Sequence, residues 1–130
     1  MVLIVLFMGC VILLDGLLLL TDPSLYRRCM EYVDEEIGSA WMIANAFAFL
    51  GPGLAFLIQA VSSRAPIWSA LVGCLSALIG VFFASAATER FAWLGGWWRS
   101  RSNAHYRLAG LAGIVLSLSI LLLAGELPRA

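Results

Sequence analysis

Apolar and charged positions separate along this chain into long blocks. Charge is absent from residues 1–14, 37–63, 65–88 and 108–125, and Asp15 interrupts the first block, which resumes over residues 16–20. A run of about 18 or more apolar residues, rising ~1.5 Å each, crosses a hydrocarbon core of ~30 Å. The pattern therefore predicts four membrane-spanning helices, over about 2–20, 40–61, 67–87 and 106–124. The predicted fold class is all-α, a four-helix transmembrane bundle with two interfacial amphipathic segments.

The first of those segments follows Asp22-Pro23, where Asp22 can cap a helix that has Pro23 at its first position. Leu25, Tyr26, Cys29, Met30 and Val33 then recur at three- and four-residue intervals, with Arg27, Arg28, Glu31, Asp34 and Glu35 between them. A helix patterned this way lies along the membrane surface. The second segment, over about 88–105, crowds Phe91, Trp93, Leu94, Trp97 and Trp98 ahead of Arg99 and Arg101. Trp41, Trp93, Trp97, Trp98, Arg99 and Arg101 are the expected interfacial anchors. Aromatics beside arginine also suit nucleic acid, but these adjoin a membrane span and read as lipid contacts.

Small residues recur inside the spans. Ser69, Gly73 and Ala77 form one four-residue ladder, Ser76, Gly80 and Ala84 a second, and Ala109, Gly113 and Ser117 a third. Such ladders let helix backbones approach closely where lipid removes the usual hydrophobic drive. Gly51-Pro52-Gly53 sits mid-span and predicts a kink or short break, because proline lacks the donor for its turn. Asn45 and Gln59 are expected to hydrogen-bond across helices. Gly9-Cys10 with Gly16 and Gly73-Cys74 with Gly80 repeat Gly-Cys-x5-Gly at an offset of 64 residues. That match predicts a duplicated helix hairpin, its halves related by an axis along the membrane normal.

Composition narrows function. The chain has 130 residues, 62% of them hydrophobic, with eight arginines, no lysine and eight acids. Four spans leave no room for a soluble domain. Arg27, Arg28, Arg90, Arg99, Arg101 and Arg107 fall in the two long loops, against Arg64 and Arg129 elsewhere. The positive-inside rule then puts both loops in the cytoplasm and both termini outside, as in a bacterial inner membrane. Residues 1–8 carry no basic side chain and no small-x-small cleavage site follows, so the first block reads as a retained span. Cys10, Cys29 and Cys74 fit neither a metal nor a haem-attachment spacing.

Asp15-Gly16, then Pro23, then Tyr26-Arg27-Arg28, followed by a second glycine-containing span, resembles a family of two-helix bacterial inner-membrane proteins of unknown function. The resemblance covers the first half. In the second half Ile79 stands at the acid's position and Ala87 near that of the proline.

Few groups can carry chemistry. Asp15 within a span needs a partner, a proton or water. Arg107 enters the fourth span from the same side and is the expected ion-pair partner. His105 is the one histidine, expected at an interface. No catalytic set, phosphate loop or metal spacing is present, and no cofactor is expected. The expected function is a non-catalytic accessory subunit packing against a larger membrane complex or a second copy, and against lipid. The alternative is a small proton- or cation-coupled transporter or channel using Asp15 and the break at Gly51, Pro52 and Gly53. A third reading is pigment or haem binding through His105.

Overall fold

The computed structural model describes residues 2–37 and 40–126; Arg129 lies outside them. Six α-helices follow in order: α1 (Val2–Thr21), α2 (Pro23–Ile37), α3 (Ala40–Gln59), α4 (Pro66–Ala86), α5 (Ala92–Arg99) and α6 (Asn103–Leu123). Short 3-10 turns, Ala60–Ser62 and Ala124–Glu126, extend α3 and α6, and no strand occurs among the described residues. Helices α1, α3, α4 and α6 are long and apolar enough to cross a membrane, with α3 extended by its 3-10 turn to Ser62. This is an integral membrane protein. Its lipid-facing surface is apolar, as at Leu3, Phe7, Phe47, Ile58, Leu78 and Leu122, which are all exposed.

Local chemistry fixes the helix ends. The Asp22 carboxylate accepts from the Leu25 backbone N–H at 3.1 Å and starts α2 at Pro23. Pro66 opens α4 at a position where a missing N–H costs nothing. Helix α6 begins at Asn103, three residues before the expected start, because the Ser102 hydroxyl accepts from the His105 N–H at 3.3 Å. That cap extends the helix through polar residues that hydropathy alone assigns to the loop.

The spans pack as two pairs, α1 on α6 and α3 on α4, joined chiefly along α1 and α3; α4 and α6 scarcely touch. Glycine governs both pairs. A Cβ built on Gly110 would lie 2.6 Å from the Gly16 carbonyl oxygen, and one on Gly53 would lie 2.6 Å from the Ala77 nitrogen. Only glycine fits such backbone contacts. Buried hydroxyls add bonds between α4 and α3: Ser76 Oγ donates to the Phe49 carbonyl at 2.6 Å, and Ser69 Oγ to the Phe56 carbonyl at 3.1 Å.

The two pairs share one register. Gly9 meets Leu121 and Gly16 meets Ile114 across α1 and α6, while Gly73 meets Leu57 and Gly80 meets Leu50 across α4 and α3. Every member of the first set stands 64 positions from its counterpart in the second. Residues 2–59 and 66–123 thus pack by exchanging helices, as two copies would about a twofold running along the bundle.

Three expectations change here. Of the expected kink or short break at Pro52 the break does not form, and helix α3 continues through it. The Ser76 hydroxyl donates to the Phe49 carbonyl, next to the Ala48 carbonyl that Pro52 leaves without its helical donor, and Gly53 admits the backbone of α4, so contacts with α4 pin this turn. Gly51 is exposed, with only Met8 nearby. On α6 the close approach is made by Gly110, not by Ala109 and Gly113, which sit one position to one side and nearly a turn on. Asn45 does not bond across helices; its Nδ2 donates to the Trp41 carbonyl of its own helix at 2.9 Å.

Candidate ligand cavity

Because α4 and α6 stand apart, the bundle keeps a cavity of about 450 Å³ between its two pairs. Helix α1 contributes Ile12, Asp15, Gly16 and Leu19, and α3 contributes Asn45 and Phe49. Its far walls are Leu75, Ile79, Phe82 and Phe83 of α4 and Ala109, Ala112, Gly113 and Leu116 of α6. Leu75 and Ala112 are exposed and form the lips of its opening. Tyr26, Trp97 and Trp98 close the end nearest α2 and α5.

Tyr26 holds that closed end together. It is 1% exposed, and its ring meets Trp41 edge-on at 5.3 Å, Trp98 at 6.3 Å and Tyr106 at 5.7 Å. Its hydroxyl accepts from Trp41 Nε1 at 3.2 Å and from Trp98 Nε1 at 3.3 Å. Tyr106 in turn donates from its hydroxyl to the Trp98 carbonyl at 2.6 Å. Arg27 straps α2 to the segment after α5: its Nη2 donates to the Arg101 carbonyl at 2.7 Å, and its guanidinium lies 4.9 Å from the Tyr106 ring centre. Burial among these rings raises the Tyr26 phenol pKa above its ordinary value, partly countered by the two indole donors; the Asp15 charge also raises it.

The expected interfacial tryptophans therefore divide. Trp93 and Trp97 are exposed, whereas Trp41 and Trp98 are half-buried and turn their N–H groups inward to Tyr26. Arg101 caps Trp97, donating from Nε to its carbonyl at 3.0 Å with the guanidinium 4.4 Å from the ring centre. The charged rim thus braces the aromatic floor.

Among the described residues, Asp15 is the one charged residue lining the cavity. Among the described residues it has no hydrogen bond and no ion pair. The expected partner, Arg107, is exposed on α6. The reason is rotational: Tyr106 occupies the inward direction at that level of α6 and is 0% exposed, so its neighbour faces out. Asn45, 6% exposed, uses its amide N–H₂ on its own helix, and its oxygen has no donor among the described residues. His105 is exposed at the N-terminus of α6, its ring Nδ1 2.6 Å from the Ser102 hydroxyl, and it does not line the cavity. Among the described residues no group of three His, Cys, Asp or Glu could hold a metal.

No protein-family model matches this chain, and no curated protein or solved structure matches it either.

Sequence reasoning singled out Asp15 but missed the cavity, and it missed Tyr26 and Gly110 as fixed points. Tyr26 had a signal in its place on the apolar face of α2. The cavity had none, because it arises from where two helix pairs do not meet.

Proposed function

We propose that the protein is a small ligand-binding membrane protein of the transporter class, taking its ligand into the cavity between the helix pairs. One observation carries this reading. An acid without a protein partner lines an otherwise apolar cavity of about 450 Å³, within the size range of sites for small organic ligands. A carboxylate in such surroundings needs a partner, a proton or water, and intramembrane acids of this kind mark ligand and ion paths. The opening between α4 and α6 gives access from the bilayer side. The positive-inside rule would put the α2 and α5 end at the cytoplasmic face of a bacterial inner membrane.

An accessory-subunit role draws less support from the geometry. Gly73 and Gly80 engage α3 within the chain, and Ser69 and Ser76 bond it, so these ladders give no sign of an outside partner.

Native mass spectrometry of the chain extracted from its membrane in mild detergent tests the proposal. The expected result is a small-molecule adduct that Gly113→Phe, which fills the cavity, removes. A bare chain, or an adduct that survives Gly113→Phe, would sink the reading. Stoichiometric release with a larger protein assembly would favour the accessory subunit instead.

A further inference from the structure

The cavity's lining also limits what it can hold. We infer that its ligand is a lipophilic organic monocation, such as a substituted ammonium, whose charge sits against Asp15 and the surrounding aromatic rings. This inference rests on the ligand-binding reading and adds the substrate class. Among the described residues no basic side chain lines the cavity, so an anion would find no counter-charge there. A sugar or other multiply hydrogen-bonding ligand would find only Asp15, Asn45 and the aromatic N–H and O–H groups at one end. A neutral hydrocarbon would make no use of the Asp15 charge and would leave the carboxyl to hold its own proton.

A cation is favoured by two features at once. Asp15, when ionised, supplies a negative charge in a low-dielectric wall. Tyr26, Phe49, Phe82, Phe83, Trp97 and Trp98 supply ring faces and edges around the same space, and aromatic faces attract cations that have shed water. The remaining aliphatic wall calls for an apolar body on the ligand.

The twofold register sets the charge at one. Asp15 of α1 corresponds to Ile79 of α4, 64 positions on, and both line the cavity. Asn45 corresponds to Ala109 and Phe49 to Gly113, again all lining it. The site is built by two similar halves, but only the first carries the acid. A dication would have one charge unmatched.

The test uses two probes of the same shape, phenyltrimethylammonium and its uncharged isostere tert-butylbenzene. Binding to the full chain in detergent micelles is read by fluorescence of the lining tryptophans, with empty micelles as reference. The cation should bind more tightly than the isostere. Asp15→Asn should weaken the cation about tenfold or more while leaving the isostere nearly unchanged. Asp15→Glu should retain cation binding, which separates loss of charge from loss of fold. The exchange Asp15→Ile with Ile79→Asp should restore it from the other wall. Equal binding of both probes, unaffected by Asp15→Asn, would overturn the cation assignment and leave the cavity reading standing. No binding of either probe to the native chain would overturn both. A natively melting exchange variant that does not regain the cation would overturn the twofold placement of the charge.

Discussion

Gly16 of α1 and Gly110 of α6 bring two helix backbones into direct contact. A Cβ on Gly110 would meet the Gly16 carbonyl oxygen at 2.6 Å and the Leu20 nitrogen at 2.7 Å, neither of which can swing aside. Gly110→Ala should therefore destabilise the bundle by about 1–3 kcal/mol through overpacking. Gly113→Ala, whose Cβ would reach only Gly16 Cα at 3.7 Å, should leave stability nearly unchanged. Thermal unfolding in detergent distinguishes the two, and equal melting temperatures would contradict the packing described for α1 and α6.

The Tyr26 hydroxyl accepts from two indoles on different helices. Tyr26→Phe keeps the ring and strands both donors, at a cost of about 1–3 kcal/mol, toward the lower end because the two tryptophans are half-buried. The tryptophan emission should shift as the indole environments change. An unaltered spectrum and melting curve would mean that the pair of bonds contributes nothing.

The same phenol predicts alkaline sensitivity. Burial raises its pKa in the folded chain, whereas the unfolded chain ionises it near about pH 10. The stabilisation is present in full below that pH. It is lost as pH rises toward the folded value, because the unfolded state gives up its proton first. Melting temperature should thus fall above about pH 10, and fall less steeply in Tyr26→Phe. Parallel curves for the two proteins would show that the phenol is not protected.

Ser76 is 0% exposed and donates to the Phe49 carbonyl one turn ahead of Pro52. Ser76→Ala should cost about 0.6 kcal/mol, the average for hydrogen bonds between membrane helices, and no more than about 1.7 kcal/mol, the largest value found for them. It should also raise amide exchange around Phe49 and Gly53, since the proline turn loses its outside donor. Ser100→Ala, exposed and bonded only within its own segment, is the control and should do neither.

How much of this was legible beforehand depends on the reach of the interaction. The four spans, the cap at Asp22-Pro23 and the amphipathic face of α2 follow from neighbours a few residues apart, so the linear pattern carries them. The offset of 64 residues between the Gly-Cys motifs was readable too, since it needs only the letters. Asp15 stood out because a charge in an apolar block has no local explanation.

Helix rotation was not legible. Whether Ala109 and Gly113 or Gly110 faces α1 turns on a single position, and every face of a membrane helix is apolar enough to hide the choice. The same ambiguity made Arg107 a plausible partner for Asp15 until Tyr106 took the inward place. Trp41 and Trp98 resembled surface anchors because composition does not say which way an indole points. The sequence alone determined that this chain has four stretches long and apolar enough to cross a membrane as helices, since hydrocarbon tolerates only apolar side chains and internally bonded backbone. Only the tertiary structure decided that the helices pair as α1 with α6 and α3 with α4. That pairing depends on contacts more than a hundred residues apart, such as Gly9 with Leu121, and the space it leaves open is where Asp15 faces a cavity without a partner.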